Sequence, residues 1–530
     1  MKSGSYRGVA AALGLLALAS CESSAADHGQ SGASGGAHRP WHSDSGGGSG
    51  ALSEGGAAGI GGEAGMGEPP VPAHSCPAVG VWTQADYDAL VAQRCTEIKG
   101  ELWINPRTFW HPRSLAGLST ITSVTGDLTL WGLHSLTSLD GLQNITQVGG
   151  SLTLRELDAV TSLDGLQNLA QLGGSLVVAQ TIFTSLDGFS SLRRIGGLAV
   201  ADNGALTSLS ALSSISGPLS SLEISGNARL ESLTGLEGMT EIASGGYLSV
   251  TRNPELTSLK GLDNLRASRI SVRLWRNPQL RSLEHIGQFS ELTQLELGSE
   301  DEATPDPGLT SLTGLSNLTS IDGAFIIRRQ STLTSLQGLD QLRSVGSLEL
   351  EETRLESLSP IALSGTISSL LVRSNASLRS LVGLGGVTTI ARSLDISGNN
   401  ALTSLAGLEA LTQIGSAAPG GMGLSVYNDP ALSSLADLAK LESIRGGGLS
   451  LNTLPALTSL AGLEAVRHVD DGLEILATGL TTLGPLLAWP AHTAFGSVTV
   501  ADNARDLSAE VSQFLANQPD ACIDYGDGCP

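Results

Sequence analysis

Apolar residues recur along this chain in short, spaced rows. Hexapeptides such as TSLDGL at Thr137 and again at Thr161 return about every 24 residues. Sixteen copies begin at Arg113, Thr137, Thr161, Thr184, Thr207, Glu231, Thr257, Arg281, Thr310, Thr334, Glu356, Arg379, Thr403, Ser433, Thr458 and Thr481. Aligned, the units read T-S-L-x-G-L-x-x-L-x-x-I-x-G-x-L-x-I-x-x-N. A unit this short cannot enclose an apolar face, so each must stack on its neighbours and share one core. The second half of the unit alternates with period two, as in Leu152/Leu154, Leu222/Ile224, Leu248/Val250, Leu394/Ile396 and Val498/Val500. That alternation predicts a short strand with one face inward, and stacking turns the strands into a long parallel sheet. The expected fold is an all-β-dominated, right-handed parallel β-solenoid of about sixteen coils, roughly 75 Å long at ~4.8 Å per coil.

Asparagine follows the strand in many units: Asn203, Asn227, Asn253, Asn277, Asn375, Asn399 and Asn503. An Asn side chain satisfies backbone groups at a bend, so a column of them predicts a repeated corner rather than a ligand site. Glycines before the strand, Gly150, Gly174, Gly197 and Gly246, suit the same geometry. Two insertions stretch the period, one across Gly298 to Gly308 and one across Ser416 to Gly423. In a solenoid such insertions emerge as surface loops. The acidic residues of the first, including Asp301 and Asp306, lack the ordered spacing of a calcium loop and read as a solvated charge run.

The termini predict where the protein resides. Lys2 and Arg7 precede the apolar run Val9 to Leu18, too short to span a bilayer and typical of a signal peptide over 1–20. It ends in Leu18-Ala19-Ser20-Cys21, which resembles a bacterial lipobox and implies a lipid anchor at Cys21; Glu22 favours export to the outer membrane. Residues 21–72 are rich in Gly, Ser and Ala and predict a flexible linker with an average reach of about 40 Å. His28, His38 and His42 in that linker are expected to be isolated and solvated. The remaining cysteines, Cys76, Cys95, Cys522 and Cys529, bracket the repeats. In an exported chain they predict two disulfides, Cys76–Cys95 and Cys522–Cys529, since crossing pairs would join opposite ends of the stack. The organisation is then 1–20 signal, 21–72 linker, 73–112 N-terminal cap, 113–503 repeats and 504–530 C-terminal cap. Within the last, Leu507, Val511, Phe514 and Leu515 have helical spacing, and a helix there covers an otherwise open sheet edge.

The N-terminal cap carries a family resemblance. Cys76, a helix expected over Asp86 to Arg94, and Cys95-Thr-Glu-Ile98-Lys-Gly100-Glu-Leu102-Trp-Ile104 together resemble the entry to a receptor L domain, the ligand-binding solenoid of insulin- and EGF-receptor ectodomains. The resemblance implies that the two flanking cysteines pair and that the helix caps the stack. It extends through the repeats to about Ala501, with far more coils than one such domain has. Leu219 to Asn227 also matches the leucine-rich-repeat pattern of bacterial surface proteins.

Formal net charge is −22, and removal of Lys2 and Arg7 takes it to −24, which disfavours nucleic acid and anionic surfaces. No P-loop, zinc-protease motif, Cys-x-x-Cys pair or dinucleotide fingerprint is present. Gly32 to Gly36 matches a nucleophile-elbow string without the strand-turn-helix context it needs. His111, His134, His285, His468 and His492 fall in separate coils without metal-site spacing. No catalytic residue, metal or cofactor is expected. Outward positions flanking the strands of the central coils instead carry Arg252, Arg273, Trp275, Arg276, Arg328, Arg329, Glu349, Glu351 and Arg373, with Tyr427 two coils further on. These form a candidate ligand-binding face, or else a solvated face whose charges pair across rungs, Arg328 with Glu349 or Arg373 with Glu351. The expected function is a monomeric, lipid-anchored surface protein that binds or adheres to a protein or glycan. The alternatives are a polysaccharide-active solenoid enzyme, disfavoured by few aromatics and no paired carboxylates, and a passive envelope spacer.

Overall fold

The computed structural model describes residues 74–106, 110–299, 308–416, 423–494 and 496–523. Cys21, the signal and linker segments, Asp301, Asp306, Cys529 and most of the second insertion lie outside the described residues. The chain forms a parallel β-solenoid of about 18 turns. The hexapeptide count falls short because the end coils carry no hexapeptide: Ser75–Val81 and Glu97–Ile104 open the stack, and Ala521–Ile523 closes it.

Each rung pairs in register with the next. Leu152, Leu176, Leu198, Leu222, Leu248, Val272 and Leu295 are successive partners and are buried. The hexapeptide leucines form parallel inward rows; Leu139, Leu142, Leu163 and Leu166 are typical. In most copies the fifth position is glycine, and where φ is positive the reason is steric. Gly141 and Gly407, fifth in their hexapeptides, have φ near +110°, and a Cβ there would lie 1.9 and 2.1 Å from the carbonyl oxygens of Leu115 and Leu381 in the preceding coil. Of the period-two pairs, only Val500 is not fully buried.

The asparagine column is internal. Asn203, Asn227, Asn253, Asn277, Asn375 and Asn399 are buried, and Asn503 at the end is half-buried. Asn253 shows the pattern. Its Oδ1 accepts from Asn227 N (3.0 Å) and Nδ2 (3.3 Å), and its Nδ2 donates to Ile224 O, Thr251 O and Asn277 Oδ1. The amide thus satisfies backbone groups of two coils and links to the side-chain amide of a third. In the last long run, Asp429 takes the place of Asn. Its Oδ1 accepts from Asn399 N at 2.6 Å and Nδ2 at 3.2 Å, whereas its buried Oδ2 has no hydrogen-bond partner among the described residues. Burial pushes its carboxyl up to about 6.

Both ends are capped. The N-terminal helix spans Gln84–Gln93, beginning earlier than Asp86 because Thr83 and Asp86 form a reciprocal capping box. Cys76 and Cys95 form a disulfide with Cα atoms 5.8 Å apart. At the other end, the helix Ser508–Asn517 buries Val511 and Phe514, the latter edge-on to Trp489 at 6.0 Å. Cys522, also disulfide-bonded, lies in the closing strand.

Candidate functional site: the outward face of the central strands

Residues that alternate with the buried leucines point outward and line up from rung to rung. One outward column runs Ser249, Arg273, Glu296, Ile326, Glu349, Leu371, Asp395 and Ser425. The next, two residues along each strand, runs Thr251, Trp275, Gly298, Arg328, Glu351, Arg373, Ser397 and Tyr427. Register therefore brings Arg273, Trp275, Arg328, Arg373 and Tyr427 onto one face.

Their guanidinium groups are already engaged. Arg273 grips Glu296 with a fork, Nε–Oε2 2.6 Å and Nη2–Oε1 3.1 Å, and Glu296 is buried despite its outward position. Arg328 contacts Glu349, Nε–Oε1 2.7 Å, and Glu351, Nε–Oε2 3.3 Å. Arg373 reaches forward to Asp395, Nη2–Oδ2 2.6 Å and Nε–Oδ1 3.3 Å, rather than to its register partner Glu351. The bond to Asp395 holds the Arg373 guanidinium above its ordinary pKa. The three arginines and four carboxylates sum to about neutral, so the face is a ladder of oriented charge pairs rather than a cationic patch.

The other predicted residues take different positions. Trp275 faces outward but is only 9% exposed, with the Arg273 guanidinium 4.8 Å over its ring. Arg252, Arg276 and Arg329 sit just after their strands with φ of 57°, 54° and 56°, in the left-handed corner. Arg252 pairs with Asp202 at 3.5 Å, and Arg329 is buried against Glu352 and Ser299 O. Tyr427 is 40% exposed.

Sequence reasoning missed Glu296, Asp395 and Tyr247. Tyr247 is 42% exposed at the start of its outward row, its hydroxyl donating to Glu223 at 3.4 Å, and burial together with Glu223 pushes the phenol up. The signal for the carboxylates was the coil spacing itself, since each lies 22 or 23 residues after its arginine. The histidines remain separate, and four of them each lie beside an aspartate: His134–Asp158 at 2.6 Å, His285–Asp263 at 2.5 Å, His468–Asp470, and His492–Asp520 at 2.5 Å. Among the described residues, no three His, Cys, Asp or Glu converge to hold a metal, and no helix is long and apolar enough to cross a membrane.

No family model and no curated protein matches the chain. Among solved structures, the mouse RP105/MD-1 complex aligns over 84% of this chain and 90% of that one at 12% identity, with a TM-score of 0.27. An overlay at that score adds nothing to the solenoid already read from the ladders.

Proposed function

We propose that the protein is a lipid-anchored cell-surface binding or adhesion protein, held at Cys21 in the outer membrane and presenting its solenoid face to a protein or glycan. The carrying observation is the rigid charge ladder Arg273–Glu296, Arg328–Glu349 and Arg373–Asp395, bracketed on the same face by exposed Tyr247 and Tyr427. Fixed, alternating charges discriminate between partners more than they add affinity, while exposed tyrosines supply the apolar anchors where binding energy concentrates. The signal-like segment, the lipobox-like string, the low-complexity linker and the Cys76–Cys95 bridge all favour an exported, tethered molecule. In this reading the protein binds and does not catalyse.

The test replaces Tyr247, Arg328 and Tyr427 with Ala in the full chain and measures adhesion of expressing cells to protein- and glycan-coated surfaces. A loss of about tenfold or more is expected. Unchanged adhesion rejects the face. In parallel, Cys21→Ser should abolish incorporation of labelled fatty acid and release the protein from the envelope; continued labelling would reject the anchor.

A further inference from the structure

A groove of about 770 Å³ opens on a different side of the stack, beside the two-residue strands Arg266–Ala267 and Gln288–Phe289. Its origin is local. In the repeats G-L-x-N-L/I a second tight turn closes after the glycine, as in Ile145 N to Leu142 O, Leu169 N to Leu166 O, Leu265 N to Leu262 O and Leu318 N to Leu315 O. The Asn of that turn donates its side chain to the coil before: Asn144 to Ser119 O, Asn168 to Gln143 O and Asn264 to Glu237 O. The coil at 285–289 reads His-Ile-Gly-Gln-Phe instead. With Gly287 at φ +96°, the chain straightens here, and Gln288 N bonds Leu265 O as Gln288 and Phe289 pair with Arg266 and Ala267. The next coil joins at Ser290, whose carbonyl accepts from Thr319 N and Oγ1, and pairs in register from Glu291 onward, so the notch remains beside the two-residue strands.

Seven exposed side chains line the notch: Thr240, Glu241, Arg266, Ser268, Gln288, Ser290 and Asn317. Ser268 donates its hydroxyl to Glu291 at 3.4 Å; the other six make no side-chain hydrogen bond or ion pair among the described residues, although Asn317 occupies the Asn place of its G-L-S-N-L turn. Glu241 and Arg266 are register partners on adjacent strands, about 4.8 Å apart at the backbone, and still do not pair. This is the reverse of the ladder, where each guanidinium of Arg273, Arg328 and Arg373 is occupied by a carboxylate. Phe289, 2% exposed, lies beneath and offers no ring for stacking.

We propose that this groove binds a neutral polyhydroxylated ligand, an uncharged hexose segment of a glycan. A guanidinium, a carboxylate and two primary amides are planar groups with paired donors or acceptors, each able to engage two neighbouring hydroxyls. The mixed set offers donors and acceptors together. Glu241 opposes an acidic sugar and Arg266 a cationic one, which leaves the uncharged polyol as the complementary class. The volume falls within the range of small-ligand sites. The inference rests on the reading of the protein as a binder, and it assigns the glycan to the groove instead of the ladder.

The experiment is calorimetric titration of the full-length protein in detergent with four-residue gluco-, galacto- and manno-oligosaccharides and a uronate tetrasaccharide. Saturable binding of at least one neutral sugar is expected, weakened about tenfold or more by Arg266→Ala, by Glu241→Ala and by Asn317→Ala, and unchanged by Asp140→Ala, at an exposed residue in a distant coil. The groove residues are exposed, so melting temperatures should be unaltered and serve as the control for folding. No binding of any neutral sugar, tighter binding of the uronate, or binding insensitive to Arg266→Ala overturns the assignment. Loss with Arg328→Ala alone would move the sugar to the ladder and keep the protein a binder. Absence of sugar binding together with unchanged adhesion in the ladder variants would remove both readings.

Discussion

Two polar columns run from rung to rung in this molecule, one inside the stack and one on its face. The inner column is built from neutral amides; the outer one alternates arginine with glutamate or aspartate. Both repeat at the coil spacing, yet they obey different physics. Inside, a side chain must satisfy backbone groups it has itself shut off from water, so an amide with a donor and an acceptor recurs at most steps. Outside, water can replace the partner at partly exposed pairs such as Arg328–Glu349, although Glu296 and Asp395 are themselves covered.

The sharpest way to break this contrast is Asn253→Ala. It removes the acceptor of Asn227 N and Nδ2 and the donor to Ile224 O and Thr251 O, leaving several buried groups unpaired. At roughly 1–3 kcal/mol per orphaned group, partly relieved by relaxation, a loss of about 4 kcal/mol is expected in urea unfolding. Hydrogen exchange should locate the loosening around residues 227–277. A loss under about 1 kcal/mol would mean that the column is ornamental.

Among the described residues Asp429 is the one carboxylate in the inner column, and Asp429→Asn should sharpen the comparison. At Asn399 the second branch, Nδ2, donates to Val372 O and Ser397 O; an ionised carboxylate in the equivalent position can donate nothing. The groups bearing on it are the Asn399 amide, whose bonds lower its pKa, and the Asp395 carboxylate, which raises it. The folded state holds the proton more tightly than the unfolded chain, whose carboxyl titrates near 3.8. This group's contribution is therefore fully present below pH 4 and is lost as pH rises through about 6. A rise of two pH units in pKa corresponds to about 3 kcal/mol, so Asp429→Asn should stabilise by up to that amount at pH 8 and by almost nothing at pH 4. Equal effects at both pH values would sink the account.

Much of this was legible in the chain before any coordinates. The leucine rows and period-two pairs required stacking, and the Asn column was recognisable as corner chemistry because Asn203 to Asn503 recur at one place in the repeat. Asp429 was hidden because the insertion before it moved it from the usual spacing. The arginines of the face could be chosen from alternation alone, but their partners depended on register, and Arg373 chose Asp395 over the in-register Glu351. Trp275 was legible as outward and not as covered, since the guanidinium above it belongs to its own strand two residues earlier. The groove left the faintest trace, one coil in which His-Ile-Gly-Gln-Phe replaces G-L-x-N-L.

The smallest expected effect falls on the outer column, where Arg328→Gln tests whether the ladder is structural at all. Arg328, Glu349 and Glu351 keep 28%, 21% and 28% of their side chains in contact with solvent, so the abandoned carboxylates regain water. The cost should be about 1 kcal/mol at low ionic strength and should shrink toward zero in 1 M salt, where screening acts within about 3 Å. A double-mutant cycle with Glu349→Gln isolates the pair from the loss of packing by the arginine stem. A salt-independent loss as large as that of Asn253→Ala would place the two columns in the same class. The ladder's residues would then be fixed by stability, and the case for them as a recognition face would rest on Tyr247 and Tyr427 alone.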